Sequence, residues 1–354
     1  MTKRIALILT VLCLLPLGVY AQGTAPLKLI KTMKMPSSIQ GPFDHLAVDV
    51  KTHRVFETAE LNGVIVVFDY QTGKLVHTIT GLKRPHAILI RDDVNRIFVT
   101  DGTLGGVQVF NLTTYQPMKF IPLRGDTDSM YYDPSTKDMY VVNGGDDIHQ
   151  TYSFVSIINT DSEQKVGDIK IDGDSLEAIR FVPGNPTMYV NNPAKNLVDV
   201  VNRNTHAIEA MWPLTRGSHA AAMSLDAAHH RLFIGCRSGV IDVFDTQTGK
   251  ELQALPIGGV VDDITFVPST RRIYAVCGGG HGEVDIYKET DPDHYDLIGK
   301  VPSRYLGKTG VLVIQIHRFF VGVPNISKHQ FPGYRPRFAT INTGDAAIYE
   351  YAVQ

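Results

Sequence analysis

The amino-acid sequence predicts an all-β, seven-bladed β-propeller closed by its own N-terminal strand. Three observations carry this expectation. A strand–turn–strand phrase recurs along the chain at intervals of 42, 42, 49, 42, 43 and 46 residues, the period of a four-stranded blade. Inside each phrase apolar residues alternate with period two, and no stretch shows the 3.6-residue period of an amphipathic helix. A spare strand precedes the first phrase, and the last phrase stops after its third strand.

The elements follow in chain order. Lys3 and Arg4 precede an apolar run over 5–17, which Pro16 and Gly18 end, and Val19-Tyr20-Ala21 follows. This is the pattern of a secretory leader over 1–21, cut after Ala21. The run is too short to span a bilayer. Leu12 before Cys13 is not the small residue of a lipoprotein signal. The expected mature part, 22–354, is one domain, periplasmic or secreted, with no later segment apolar enough to cross a membrane. Removing Lys3 and Arg4 takes the formal charge from −2 to −4, so the chain lacks the basic footprint of a nucleic-acid binder.

Residues 27–35 read as the spare strand. The first blade then runs from Asp44-His45-Leu46 to Phe68-Asp69-x-x-Thr72-Gly73-Lys74, a turn that recurs as Phe244-Asp245-x-x-Thr248-Gly249-Lys250. Second strands recur at Ile97-Phe98-Val99, Met139-Tyr140-Val141, Met188-Tyr189-Val190, Leu232-Phe233-Ile234, Ile273-Tyr274-Ala275 and Phe319-Phe320-Val321. Twelve residues before each aromatic stand Asp44, His86, Asp128, Glu177, Asp262 and Lys308. In the fifth unit the turn over 226–230 reads as two residues longer, which gives His219 the equivalent place. These seven positions mark the blade starts. Pairing 27–35 beside 347–353 completes the last blade and removes two open sheet edges.

The phrases Pro85-His86-Ala87-Ile88, Met139-Tyr140-Val141-Val142-Asn143, Phe68-Asp69-x-x-Thr72-Gly73 and Val182-Pro183 resemble the YVTN-repeat, or YncE-like, family of exported bacterial propellers. The resemblance covers the whole mature chain. It departs from the strictest repeats in its variable strand tetrapeptides and in insertions in the third, sixth and seventh units. It implies an exported binder of a ligand or partner.

A propeller brings the start of each innermost strand to one mouth of its axial channel. Asp44, His86, Asp128, Glu177, His219, Asp262 and Lys308 should therefore converge there, with His45 and Asp263 beside them. Such a ring suits a polar ligand or a divalent metal ion, for which Asp44, Asp128, Glu177 and Asp262 are the candidate ligands. The alternative is a wet channel whose polar side chains only satisfy backbone and water. Loops after the second strands should border the same mouth, including Asp101-Gly102, 143–147, Cys236-Arg237 and 277–281. An insertion over 324–338 carries His329, Tyr334, Arg335 and Arg337 and is the candidate lid. A second insertion, 148–152, would flank it.

Cys236 and Cys277 hold equivalent places in adjacent blades, which diverge outward, so buried free thiols are expected rather than a disulfide. Soft-metal binding with His281 is the alternative. There is no Cys-x-x-Cys-His for haem, no phosphate-cradling loop before a helix and no Gly-x-Ser-x-Gly elbow. Two functions compete. One is a non-enzymatic, monomeric propeller binding a small molecule or protein partner. The other is a metal-dependent hydrolase or lyase resembling, in architecture only, gluconolactonases and streptogramin lyases. There His86 or His219 would move the proton and Lys308 would stabilise an anion.

Overall fold

The computed structural model describes residues 25–325 and 344–354. The expected leader and the candidate lid residues His329, Tyr334, Arg335 and Arg337 lie outside the described residues.

The described residues form seven four-stranded antiparallel sheets. Strand β1 (Leu27–Lys34) precedes the first blade, β2 (Leu46–Asp49), β3 (Arg54–Ala59), β4 (Val64–Asp69) and β5 (Lys74–Ile79). The second blade comprises β6 (Pro85–Arg91), β7 (Arg96–Asp101), β8 (Gly106–Asn111) and β9 (Pro117–Pro122). The third comprises β10 (Met130–Asp133), β11 (Asp138–Gly144), β12 (Tyr152–Asn159) and β13 (Gln164–Asp172). The fourth comprises β14 (Ile179–Phe181), β15 (Thr187–Asn192), β16 (Leu197–Asn202) and β17 (Ile208–Pro213). The fifth comprises β18 (Ala220–Asp226), β19 (Arg231–Cys236), β20 (Val240–Asp245) and β21 (Glu251–Pro256). The sixth comprises β22 (Val261–Val267), β23 (Arg272–Cys277), β24 (Glu283–Asp291) and β25 (His294–Pro302). In the seventh, β26 (Gly310–Val313), β27 (Arg318–Val323) and β28 (Ala347–Val353) are joined by β1, in the order β1-β28-β27-β26. Leu27 faces Val353 and Lys34 faces Ala347, so the two ends of the described chain share one sheet, as the sequence predicts.

Middle strands are buried on both faces and read Val, Ile and Phe; outer strands are polar and exposed. The core lies between blades rather than within them. One cluster joins Phe56, Ile65 and Val67 of the first blade to Ile97, Val99 and Phe110 of the second. The repeated turn after the third strand has a local cause. The Thr72 N–H donates to Asp69 Oδ1 at 2.8 Å, and the Gly73 N–H to the Asp69 carbonyl at 2.7 Å. The turn ends on a φ of 72° at Gly73, a conformation glycine adopts without a Cβ clash.

The first turn is equally regular in six of the seven blades. His53, Asn95, Lys137, His230, Arg271 and His317 each take positive φ, between 51° and 65°, just before the second strand. In the fifth blade Asp226 pairs with Arg231 as Asp49 pairs with Arg54 in the first. The turn over 226–230 is therefore not longer than the others. The register Ser224↔Phe233 puts Ala221, not His219, at the fifth ring position.

Candidate functional site

Six of the expected ring residues come together at one mouth, and with Ala221 they line a cavity of about 860 Å³. The backbone of each blade hands on to the next here. The His45 N–H donates to the His86 carbonyl at 3.2 Å, and the Asp263 N–H to the Lys308 carbonyl at 3.3 Å.

The side chains form a chain of charge pairs. His86 Nδ1 lies 2.6 Å from Asp44 Oδ2 and 3.6 Å from Asp128 Oδ1. Lys308 bridges Asp262 and Asp44, the latter at 3.6 Å. Arg237 spans Asp262 (2.5 Å) and Glu177 (3.1 Å). His45 Nδ1 lies 3.2 Å from Asp263, whose second role is to accept the Gly310 N–H at 2.9 Å.

These pairs set the protonation states. Burial alone would raise the Asp44 carboxyl, but Lys308, His45 and His86 outweigh it and hold Asp44 well below the usual carboxylate range. Burial disfavours the His45 imidazolium, yet Asp263 and Asp44 prevail and push it up to about 10. His86 rises to about 9 against burial, through Asp128 and Asp44. Glu177 is pushed up to about 8, chiefly by burial, with Arg237 opposing. Groups driven this far apart in one cleft mark a functional-site candidate.

A second tier sits two residues ahead of the ring. Arg84, Asp126, Ser175, His219, Val260 and Leu306 all line the same cavity. His219 belongs to this tier: it is exposed, and its nearest polar partner is Ser218, at 3.4 Å. Asp126, His219, Val260 and Leu306 take positive φ of 56°, 56°, 59° and 60°. Strain of this kind, costliest at β-branched Val260, gathers at ligand sites. Arg84 contacts Asp147 (2.6 Å), Asp126 and Glu60 (both 3.4 Å), and burial pushes Asp126 up to about 7. Arg84, Asp126 and Glu60 escaped the sequence reading. The first two are legible as charges two residues before a ring position.

Glu57 also escaped it. Its equivalents by register are Val99, Val141, Val190, Ile234, Ala275 and Val321, all aliphatic. Glu57 is fully buried, and neither carboxyl oxygen has a hydrogen-bond partner. Burial pushes its carboxyl well above the usual range, favouring the protonated form. Gly322 of the seventh blade makes the room: a Cβ there would meet Glu57 Oε2 at 2.6 Å.

Of the four carboxylates expected to ligate a metal, Asp44 and Asp128 meet at ligand spacing, together with His45, their atoms within 4.8 Å of one another. Asp262 and Glu177 are turned to Arg237 instead. Cys236 and Cys277 are free and fully buried, and burial raises both thiols. Neither joins a metal-spaced group among the described residues, and His281 is exposed.

The fold is similar to that of U3-55K (TM-score 0.71, 11% identity, 91% of this chain and 98% of that one). It is similar to the RRP9 WD40 repeats (TM-score 0.73, 12% identity, 94% and 99%). It also resembles Kuenenia stuttgartiensis hydrazine synthase (TM-score 0.65, 14% identity, 87% and 95%). Likeness at these identities shows a propeller fold and nothing finer. No family model and no curated protein sequence matches the chain. No helix among the described residues is long and apolar enough to cross a membrane.

Proposed function

We propose that this chain is an exported, YVTN-like propeller that binds a small organic anion in its axial cavity. The observation that carries the reading is the cavity's mixed lining. The cationic groups Lys308, Arg237, His45 and His86 share it with the apolar Ala178, Ala221, Ala222 and Met223. The alanine at the fifth ring position leaves a gap where the other blades place a charged group. The volume matches that of ordinary small-molecule sites. A proton held by Glu177 near neutral pH leaves Arg237 charge unspent by that neighbour and open to an acid. The apolar tail of such an acid would rest on the alanine wall. Export rests on the leader pattern of residues 1–21.

Thermal denaturation of the mature chain against a panel of small carboxylates, from acetate to short branched and aromatic acids, tests this. A fitting acid at a hundredfold excess over Kd stabilises by about 2.7 kcal/mol. Arg237→Gln and Ala221→Leu should each abolish the shift, one by removing charge and the other by filling the gap. No stabilising acid, or a shift that survives both changes, sinks the reading.

A second reading, a metal-dependent hydrolase or lyase, is favoured by the Asp44–His45–Asp128 spacing. Metal bound there would take the place of the His45 proton. About one divalent ion per chain, lost in Asp128→Ala, would select it over the first.

A further inference from the structure

The seven blade seams share one geometry on the face opposite the axial mouth. A residue at or just past the end of each third strand donates its N–H back to the turn before the second: Tyr70, Leu112, Thr160, Arg203, Thr246, Glu289 and Val353. At five of the seams its side chain lies by the end of the preceding blade's first strand. Between the third and fourth blades the pair is Asp133 and Arg203, a buried ion pair at 2.7 Å. Between the second and third it is Arg91 and Thr160, and at two further seams the pairs are apolar: Val267 with Val353, and Val313 with Tyr70. The seam between the fifth and sixth blades alone sets a carboxylate against a carboxylate, Asp226 and Glu289, among the described residues. Both are buried, at 2% and 0% exposure. Two facing buried carboxylates repel unless a proton or a cation is shared between them.

His229 stands at that place. Its Nδ1 lies 2.5 Å from Asp226 Oδ2 and 3.8 Å from Glu289 Oε1, and the ligand atoms all fall within 4.8 Å of one another. Each carboxylate is aimed by its other oxygen: Asp226 Oδ1 accepts the Ala228 N–H at 3.1 Å, and Glu289 Oε2 takes Arg271 Nε at 3.1 Å. Glu289 Oε1 is left buried with no hydrogen-bond partner, pointing into the gap. The geometry points to a divalent first-row transition ion, zinc by preference, bound by Asp226, His229 and Glu289 with water completing the shell. One imidazole and two carboxylates are a ligand set such ions take. The Ala228 N–H and the Arg271 guanidinium hold the two carboxylates in place, as outer hydrogen bonds do around known metal ligands. Seating the ion needs only a small rotation of His229, a half-exposed turn residue, to open its contact with Asp226. The ion would clamp two blades on the face remote from the axial cavity, so this site stands or falls independently of the one proposed above.

The test is Co2+ titration of the tag-free mature chain, read by visible absorption, in the parent and in an Asp128→Asn background that disables the axial cluster. One equivalent should bind in both, with the intense bands of a low-symmetry nitrogen–oxygen shell. His229→Ala in the Asp128→Asn background should weaken binding at least about 100-fold, since removing a ligand costs no less than removing its outer partner. Glu289→Gln, which keeps the shape of the buried side chain, should do the same. Circular dichroism should show the His229→Ala chain to be folded. Absence of saturable binding in the Asp128→Asn chain, or unchanged binding in folded His229→Ala, overturns the inference.

Discussion

At the scale of single residues, Glu57 is the sharpest case of a local rule broken. A buried carboxyl with two unpartnered oxygens occupies a slot that six other blades fill with an aliphatic side chain. Leaving such a group unsatisfied costs about 1–3 kcal/mol. Glu57→Leu should therefore stabilise the chain by about 1–2 kcal/mol at pH 7, seen as a higher urea midpoint at unchanged slope. Gly322→Ala should do the reverse, because its methyl would press on the Glu57 carboxyl; an unchanged midpoint for Gly322→Ala would disprove the contact. Glu57 was legible as an acid in an apolar slot, and only comparison across all seven blades exposes it. His219 was misread for the opposite reason. Two successive histidines made an ordinary turn look extended, whereas Asp226 and Arg231 are spaced as Asp49 and Arg54 are. The ion pairs of Arg84 and Arg237 depend on side-chain reach across blades, which spacing along the chain does not encode.

At the scale of elements, β1 carries the closure. Leu27 and Met33 are buried at 2% and 0% exposure, and Met33 packs with Phe68, Phe320 and Ile348. Met33→Ala should cost about 2–5 kcal/mol, measured by chemical denaturation. Deleting 27–34 should do more than lower stability, because it bares the whole edge of β28. Light scattering should then report oligomers joined through that edge. A monodisperse monomer of unchanged stability would mean that the strand is dispensable. The strands themselves were legible because middle strands are buried on both faces and turns repeat their Asp, Thr and Gly. The 12-residue spacing survived because a fixed turn separates two strands of fixed register.

At the scale of the whole molecule, the axial charges make stability depend on pH. His45 and His86 have folded values of about 10 and 9, above the ordinary 6.5. Their contribution is complete below about pH 6.5 and is lost as pH rises through 9 to 10. Glu177, raised to about 8, shifts stability the same way as pH rises from about 4.5. Asp44 and Asp262 are lowered from 3.8, so their contribution is present above about pH 4 and fades on acidification. The melting temperature should thus peak between about pH 5 and 7 and fall toward pH 10, a loss on the order of a few kcal/mol. His45→Gln should flatten the alkaline limb. An alkaline limb equally steep in that variant would show that the imidazole does not titrate there.

The sharing of the seventh sheet by β1 and β28 has a consequence in time. A ribosome delivers Leu27–Lys34 first and Ala347–Val353 last, so one partner waits unpaired through nearly the whole of synthesis. The ring behaves as a clasp that shuts only on a finished product. Translation products cut short would stay open-ended and present their unpaired edges to proteases. On the export proposed above, β1 crosses early and stays unpaired until β28 has followed it.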